Sequence, residues 1–497
     1  MKKRAFLLRT KIDRLYLWIL LANLLIAAAL SWSRLAGRTI VGTLKAPHPA
    51  VFGIRPGSGL ALLALFVFAW RIWMAYRYRA CPPVEKSELP VVTVVIPAYN
   101  EGRQVLPTVR SVMNSDYPPD RMQVICVDDG STDDTWDWML EARREYPERL
   151  RLIRQPKNSG KRQALMAGFR YARGSVYVTI DSDSEVFPDT LHHLVSPLVA
   201  DPKVGAVAGN VRVLNHGDGP IPKMMEVFFT VGFDFIRAGQ SVYGGVFCTP
   251  GALSAYRASV IKSQLKGWVR QTFLGVPATI GEDRALTNLV LKNGYWVVYQ
   301  REAVVLTKIP ATFRGLRRML LRWARSNVRE SIVMSTFMVR RFRKGEGGWW
   351  IRMVSGLQIF QLSVYEALKV GLLAELVLAP LSTLSIMTLG CLVGSIVPAT
   401  VYHLRYGTWF GWRWAVPYSF LWLYGLSWVS LWGLVSAARS GWLTRDLPSG
   451  VRAQKQDQGL EVCEPETIPF PPWQGTGTGP GKRSKLRHAG KPLAISG

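Results

Sequence analysis

Three groups of acidic residues in the first 300 positions are spaced for chemistry. The stretch VTIDSDSE, Val178–Glu185, ends an apolar run with Asp181, Asp183 and Glu185 at alternate positions. Strand side chains alternate faces, so the three acids would point the same way if the strand continued. Like charges that close require a cation, or solvent, among them. A D-x-D pair at a strand end can hold Mg²⁺ or Mn²⁺ through hard oxygen ligands, the ion bridging carboxylates to a diphosphate. D-x-D alone is a weak motif, because a solvated turn has the same composition. Here it stands beside PAYNE (residues 97–101) and VDDGS (127–131). NSGKRQAL adds Lys161 and Arg162, cations suited to pyrophosphate oxygens. In TIGEDRALTN, Asp283 is the candidate general base, with Glu282 beside it. Such a base takes a proton from an acceptor hydroxyl while a metal stabilises the leaving diphosphate. The same two acids also suit the N-terminus of a helix, which RALTNLVL predicts; the two roles are compatible.

The elements that must position these residues can be read from pattern. Between Pro90 and about Lys308, VVTVVIPAYN, MQVICVDDGS, RLRLIRQ and SVYVTI read as strands. Val105–Asn114, Thr132–Arg144 and Gln163–Ala172 read as the intervening helices, with Ser131 as a candidate cap of the second. Strand–helix alternation with continuous apolar strands predicts a parallel sheet covered on both faces. Ligands of such sheets bind beyond the carboxyl ends of the strands. Asn100/Glu101, Asp128/Asp129 and Asp181/Asp183 all fall there. No G-x-G-x-x-G follows the first strand and no G-x-x-x-x-G-K-[ST] occurs, so a dinucleotide fold and a P-loop are poorly supported.

The 497 residues carry 62 Lys and Arg against 34 Asp and Glu, a net charge of +28. That balance suits nucleic acid, an anionic membrane surface or acidic substrates. A hydrophobic content of 48% with 19 Trp selects membrane over nucleic acid, because basic patches alone need no long apolar runs. Leu15–Trp32 and Gly59–Tyr76 are two such runs, each about one span long. The basic segment MKKRAFLLRTKIDR before the first argues for a cytoplasmic N-terminus rather than a cleaved signal peptide. Two spans then return the chain to the cytoplasm near Arg77. The five cysteines are scattered, without zinc spacing, and read as reduced thiols. Phe313–Lys344 mixes Arg with apolar residues at helical spacing, as in a helix at a membrane surface. Further apolar segments follow near 353–379, 381–404 and 414–437; the first contains Glu366, Lys369 and Glu375, and charges at membrane depth usually line something functional. The tail from Pro448 is Gly-, Pro- and Lys-rich and reads as disordered.

Taken in order, PAYNE, VDDGS, NSGKRQA, DSD, GED and RW resemble the processive membrane branch of family-2 glycosyltransferases, which includes hyaluronan, chitin and cellulose synthases. VAGNVRVLN, CTPGALSAYR, WVRQTFLGVPATIGEDRALTN, RWARSNVRES and GWLTR bring the resemblance nearest to hyaluronan synthases, with chitin-oligosaccharide synthases next. It covers roughly residues 90–445 and the flanking spans. The resemblance implies an α/β, GT-A-like cytoplasmic domain (90–308) set between an N-terminal membrane region (1–80) and a C-terminal one (353–445). Interfacial amphipathic helices (309–352) carry the RW motif, and 446–497 form the tail.

It also implies roles. Tyr99, Glu101 and Asp129 would hold uridine and ribose. Lys161 and Arg162 would meet the nucleotide and diphosphate. Asp181 and Asp183 would be the D-x-D pair, Asp183 foremost as the ligand of Mg²⁺ or Mn²⁺. Asp283 would be the base, and Cys248, otherwise a buried strand residue, would lie near the acceptor. Arg322 and Trp323 match the RW of Q-x-x-R-W, and Trp442, Thr444 and Arg445 match a W-G-T-R element near the nucleotide. Two positions depart: Met319 replaces the Gln, and Leu443 replaces the Gly. Met cannot supply the hydrogen bonds of an amide. The implied activity is inverting transfer from UDP-GlcNAc and UDP-GlcA to a growing β-linked polysaccharide, coupled to export through the plasma membrane. A chitin-type product from UDP-GlcNAc alone, a non-processive membrane transferase, and a degenerate scaffold are the competing readings.

Overall fold

A computed structural model describes residues 14–15, 17–22, 25, 56–338, 343, 348–439 and 461–463. The four strands read from the sequence form: β1 (Val92–Ala98), β2 (Met122–Asp128), β3 (Leu150–Arg154) and β4 (Val176–Thr179). Every residue of β1 and β2 is buried. Alternate residues serve opposite faces: Val94, Ile96, Val124 and Cys126 join one apolar cluster, Val95, Ile125 and Val127 the other. This two-sided burial is why the strands read as unbroken apolar runs.

Beyond β4 the sheet is mixed rather than parallel. It continues through β5 (Ser184–Val186), β6 (Val204–Val213), β7 (Ser254–Arg257), β10 (Trp296–Thr307) and β11 (Glu461–Cys463), in the order β11-β3-β2-β1-β4-β7-β6-β10-β5; Thr272–Phe273 (β8) and Val276–Pro277 (β9) form a separate hairpin. The pairs among β3, β2, β1 and β4 are parallel, whereas β7 runs antiparallel to both β4 and β6. β7 is reached through a long excursion after β6, which includes the helices Pro220–Phe229 and Ile236–Ser241 and could return the strand in either direction. The residue pattern of β7 does not record its direction. Three residues of the tail are ordered as an edge strand, Val462 opposite Ile153, which corrects the wholly disordered reading of that segment.

Helix Pro56–Arg77 forms where the second N-terminal run was expected. The described residues of the first run are helical. After the catalytic domain, Pro380–Tyr406 and Phe410–Val435 are long and apolar enough to cross a membrane, and the first exposes Leu381, Ile386 and Leu389. Glu366 and Lys369, flagged as costly at membrane depth, satisfy each other at 3.0 and 3.2 Å, and Lys369 also donates to Ser430 Oγ at 2.5 Å.

Helix Phe313–Met338 does not lie free on a surface. Arg325 Nε donates to Ser436 Oγ at 2.9 Å on the side of the C-terminal helices. On the other side, Asn288 Nδ2 donates to Glu330 O at 3.0 Å. A second tie is Asp234, buried between β6 and β7. It accepts from Arg301 Nε of β10 at 2.8 Å and from Arg405 Nε, at the end of Pro380–Tyr406, at 2.9 Å.

Candidate active site

The apolar run of VTIDSDSE stops as a strand at Thr179, and the chain turns through Asp181–Asp183 before β5 resumes. Asp181, Asp183 and Glu185 therefore do not share one strand face, because the turn breaks the alternation. The expected cation is Lys161. Its Nζ donates to Asp181 Oδ1 and lies 3.0 Å from Glu282 Oε1. Lys161 is the first residue of helix Lys161–Arg170, and its side chain is 9% exposed. Burial disfavours its charge, but Asp181 and Glu282 overcome this and raise its pKa above the usual lysine value.

Glu282 and Asp283 open helix Glu282–Lys292, as the sequence indicates. Burial works against the Glu282 charge, yet Lys161 holds its carboxyl at about 2. Asp283 moves the other way: burial first, then the neighbouring Glu282 charge, raise it above the usual carboxylate range. Two adjacent acids are thus shifted in opposite directions, the pattern by which a site separates a fixed anion from a candidate base. Cys248 Sγ lies 3.7 Å from Asp283 Oδ2. Burial pushes that thiol up to about 12, so it stays protonated. The CTPG loop is stapled to the same helix, Thr249 N donating to Thr287 Oγ1 at 3.0 Å.

Two glycines make this geometry possible. A Cβ on Gly251 would stand 2.5 Å from Lys161 Nζ and 3.4 Å from both Asp181 oxygens. Gly281, at φ +73°, precedes Glu282, and a Cβ there would lie 1.9 Å from Ser326 Oγ. The sequence reading named neither. The signal for Gly251 lay in CTPG, where a loop glycine abuts the metal and diphosphate motifs.

Other expected residues take positioning roles. Asp129 accepts from the amides of Ser159 (2.9 Å) and Gly160 (2.8 Å), which shapes the turn before Lys161. Burial pushes its carboxyl up to about 7 against those two donors. Glu101 Oε1 accepts from Ser182 Oγ at 2.9 Å, tying PAYNE to the D-x-D turn. Tyr99 is buried at the end of β1. Ser131 does not cap a helix; its Oγ accepts from Asn100 N at 3.0 Å, while Asp133 receives Thr135 N at 3.1 Å. Arg162 is held by the segment before Glu282. It donates to Trp268 O at 2.8 Å and Gln271 Oε1 at 2.9 Å and lies over the Trp268 ring. Its charge still interacts with Glu282 and Asp283, and its Nε and Nη2 are buried without hydrogen-bond partners among the described residues.

The RW helix is locked to the acid loop by residues the sequence reading did not single out. Glu330 accepts from Arg329 Nε (3.0 Å), Gln271 Nε2 (3.0 Å) and Asn288 Nδ2 (3.1 Å), and Arg329 also donates to Ile280 O. Trp323 faces Phe229 and Phe233 at 6.2 and 6.0 Å. Met319 is buried in the apolar cluster that includes Leu316, Leu426 and Val429, which explains the departure from Gln. Arg322 precedes Trp323 on this helix, and its charge acts on Glu282. Trp442, Thr444 and Arg445 lie outside the described residues.

Asp181 and Asp183 are the pair available to a divalent cation. Among the described residues no group of three or more His, Cys, Asp or Glu could hold an ion alone. That suits Mg²⁺ or Mn²⁺, which bind through one or two carboxylates and substrate phosphates. The bare backbone of Gly251 lets Lys161 Nζ pack beside Asp181, where any side chain would collide with it. Asp183 Oδ1 receives Ser184 Oγ and Thr307 Oγ1, each at 3.3 Å.

Comparison with known proteins agrees with this arrangement. Residues 93–265 match the family described as Glycosyl transferase family 2. An N-acetylglucosaminyltransferase of Rhizobium meliloti (strain 1021) is 30% identical over 396 residues, covering 78% of this chain and 91% of that protein. A hyaluronan synthase of Streptococcus pyogenes is 34% identical over 250 residues, covering 49% of this chain and 58% of the relative. A mannosyltransferase of Pyrobaculum calidifontis, solved with GDP-Man and Mn²⁺, shares the fold with a TM-score of 0.52 at 22% identity, over 74% of this chain and 97% of that one. With its acids gathered at the carboxyl edge of a GT-A-like sheet, the chain belongs to family 2 of the glycosyltransferases, in the branch that holds rhizobial N-acetylglucosaminyltransferases and hyaluronan synthase.

Proposed function

We propose that the protein is an inverting, metal-dependent synthase that extends a β-linked polysaccharide from UDP-sugars, UDP-GlcNAc and UDP-GlcA, at the cytoplasmic face of the plasma membrane. The observation that carries this is the convergence of Asp181, Lys161, Glu282, Asp283 and Cys248 at one sheet edge, backed by the RW helix. The bilayer is the partner of the flanking helices, and nucleic acid is not a partner.

The residues divide the work. Tyr99, Glu101 and Asp129 frame the nucleoside side of the edge. Lys161 meets the diphosphate, and Asp181 and Asp183 hold the cation. A bound Mg²⁺ or Mn²⁺ supplies charge neutralisation for the leaving diphosphate. The acceptor hydroxyl sits between Asp283 and the anomeric carbon, on the side lined by Cys248 and Trp323. Asp283 removes its proton as the oxygen attacks. The new C–O bond forms as the bond to the diphosphate breaks, and UDP leaves with the electron pair. One displacement inverts the centre, so an α-linked donor gives a β-linkage. No covalent intermediate is required.

A chitin-type product from UDP-GlcNAc alone is the second reading, favoured by the extent of the match to the rhizobial relative. Arg237 favours the two-donor reading. It is buried, its charge acts on Cys248 and Asp283, and its Nη1 has no hydrogen-bond partner among the described residues. A uronate carboxylate is the sugar group that would pair with it.

The test is product formation by purified protein in nanodiscs with Mg²⁺ or Mn²⁺, given UDP-GlcNAc, UDP-GlcA or both. Hyaluronidase-sensitive polymer that requires both donors supports the proposal. Chitinase-sensitive product from UDP-GlcNAc alone moves the protein to the second reading. Asp283→Asn must abolish product; a fully active variant would remove Asp283 from the base role.

A further inference from the structure

Lys161 is placed where a lysine is locally unwelcome. It is the first residue of a ten-residue helix, Lys161–Arg170, whose N-terminal end carries partial positive charge. The helix therefore does not hold the ammonium in place; Asp181 and Glu282 do. The Nζ is also boxed in, since even a Cβ on Gly251 would approach it to 2.5 Å. One buried cation thus neutralises a carboxylate of the D-x-D pair and the anion beside the base.

We propose that Lys161 is a placeholder cation, which occupies Asp181 in the free enzyme and releases it to a divalent metal only when a diphosphate arrives to take the ammonium. This deepens the glycosyltransferase reading of the site and rests on it. The free enzyme offers Asp181 with its charge already paired, so a divalent ion must displace Nζ to bind. An incoming nucleoside diphosphate provides phosphate oxygens for Nζ. Asp181 is then unpaired beside those oxygens, and the ion binds between them. Metal and nucleotide binding are therefore coupled, and each strengthens the other by the same factor. The arrangement keeps metal off Asp181 while no donor is present.

The experiment titrates Mn²⁺ by EPR into the full-length protein in nanodiscs, with and without saturating UDP, so that no turnover is involved. The wild type is expected to bind Mn²⁺ at least tenfold more tightly with UDP, within the range of ordinary coupling between sites. Lys161→Met leaves the carboxylates unneutralised. It is expected to bind Mn²⁺ alone at least tenfold more tightly than the wild type, and to bind UDP more weakly. Lys161→Gln, which removes the charge but keeps hydrogen bonding, must show the same gain and serves if the Met variant does not fold. Unchanged affinity for Mn²⁺ alone in the folded variants overturns the proposal, as does wild-type protein that binds Mn²⁺ equally well without UDP. Absence of any UDP binding to the wild type would instead overturn the underlying reading of the site.

Discussion

Gly281→Ala tests the contact that sets the base against the RW helix. The added Cβ would meet Ser326 Oγ at 1.9 Å and Ser326 Cβ at 2.8 Å, at a backbone φ of +73°. The left-handed conformation costs a non-glycine residue roughly 1–2 kcal/mol. Overpacking adds about 1–3 kcal/mol. Restoring ordinary contact requires the two elements to separate by on the order of 1 Å, and a displacement of that size at a reacting centre costs about 10²-fold in rate. Glu282 and Asp283 follow Gly281 directly, so the expected loss is about 10²-fold in kcat, or ~2.7 kcal/mol of barrier. The KM for the donor should change little, since Asp181, Asp183 and Asp129 lie in turns beyond β4 and β2, away from Gly281 in the chain. The assay is steady-state UDP release, with thermal unfolding followed in parallel. Ser326→Gly in the same protein deletes both clashing atoms. Ser326 Oγ is buried without a hydrogen-bond partner among the described residues, so only the helical cost of glycine, about 1 kcal/mol, is added. The double variant should recover most of the lost kcat. A Gly281→Ala enzyme within threefold of wild type, or a double variant no better than the single, would refute the reasoning.

Glu282→Gln removes the anion that helps hold Asp283 above the usual carboxylate range. A base with a raised pKa is ionised, and active, only at pH values above that raised pKa. The acid limb of the kcat/KM profile should therefore move to lower pH in the variant, and a limb that stays or rises would contradict the pairing. Met319→Gln places an amide in an apolar cluster, and leaving it unpaired costs about 1–3 kcal/mol. Its Tm should fall without any gain in product length; longer product would show that the position meets the acceptor. Asp234→Asn weakens two charge-assisted bonds at once, so unfolding should lose cooperativity between the catalytic domain and the C-terminal helices in a calorimetric scan.

The strand ends and their acids were legible because local pattern decides them: apolar runs buried on both sides, each stopping at a polar group. Asp181, Lys161 and Asp283 meet as their motifs suggest. What was not legible depends on pairings between distant segments. The reversal of β7 shows only in its pairing with β4 and β6. Arg162 sits beside Lys161 in sequence, yet successive helical residues point about 100° apart, so Lys161 reaches Asp181 while Arg162 reaches Trp268 and Gln271. Glu330 stands in a quoted run, RWARSNVRES, but its importance comes from Gln271, Asn288 and Arg329, two of them on other elements. Glu330 is the one acid in Phe313–Lys344, which was the local hint.

Asp234 joins β10 to the last turn of Pro380–Tyr406, and its neighbour Phe233 faces Trp323. With that helix seated in a bilayer, its depth is set by the thickness of the hydrocarbon around it, and mismatch is answered by tilt or sliding. A carboxylate bonded rigidly at both ends passes such movement on to the ring one residue away. Under the proposed function, lipid chain length thereby becomes a variable of the wall that Trp323 forms with Phe229 and Phe233, and the protein reconstituted in thin and thick membranes would not present that wall in the same place.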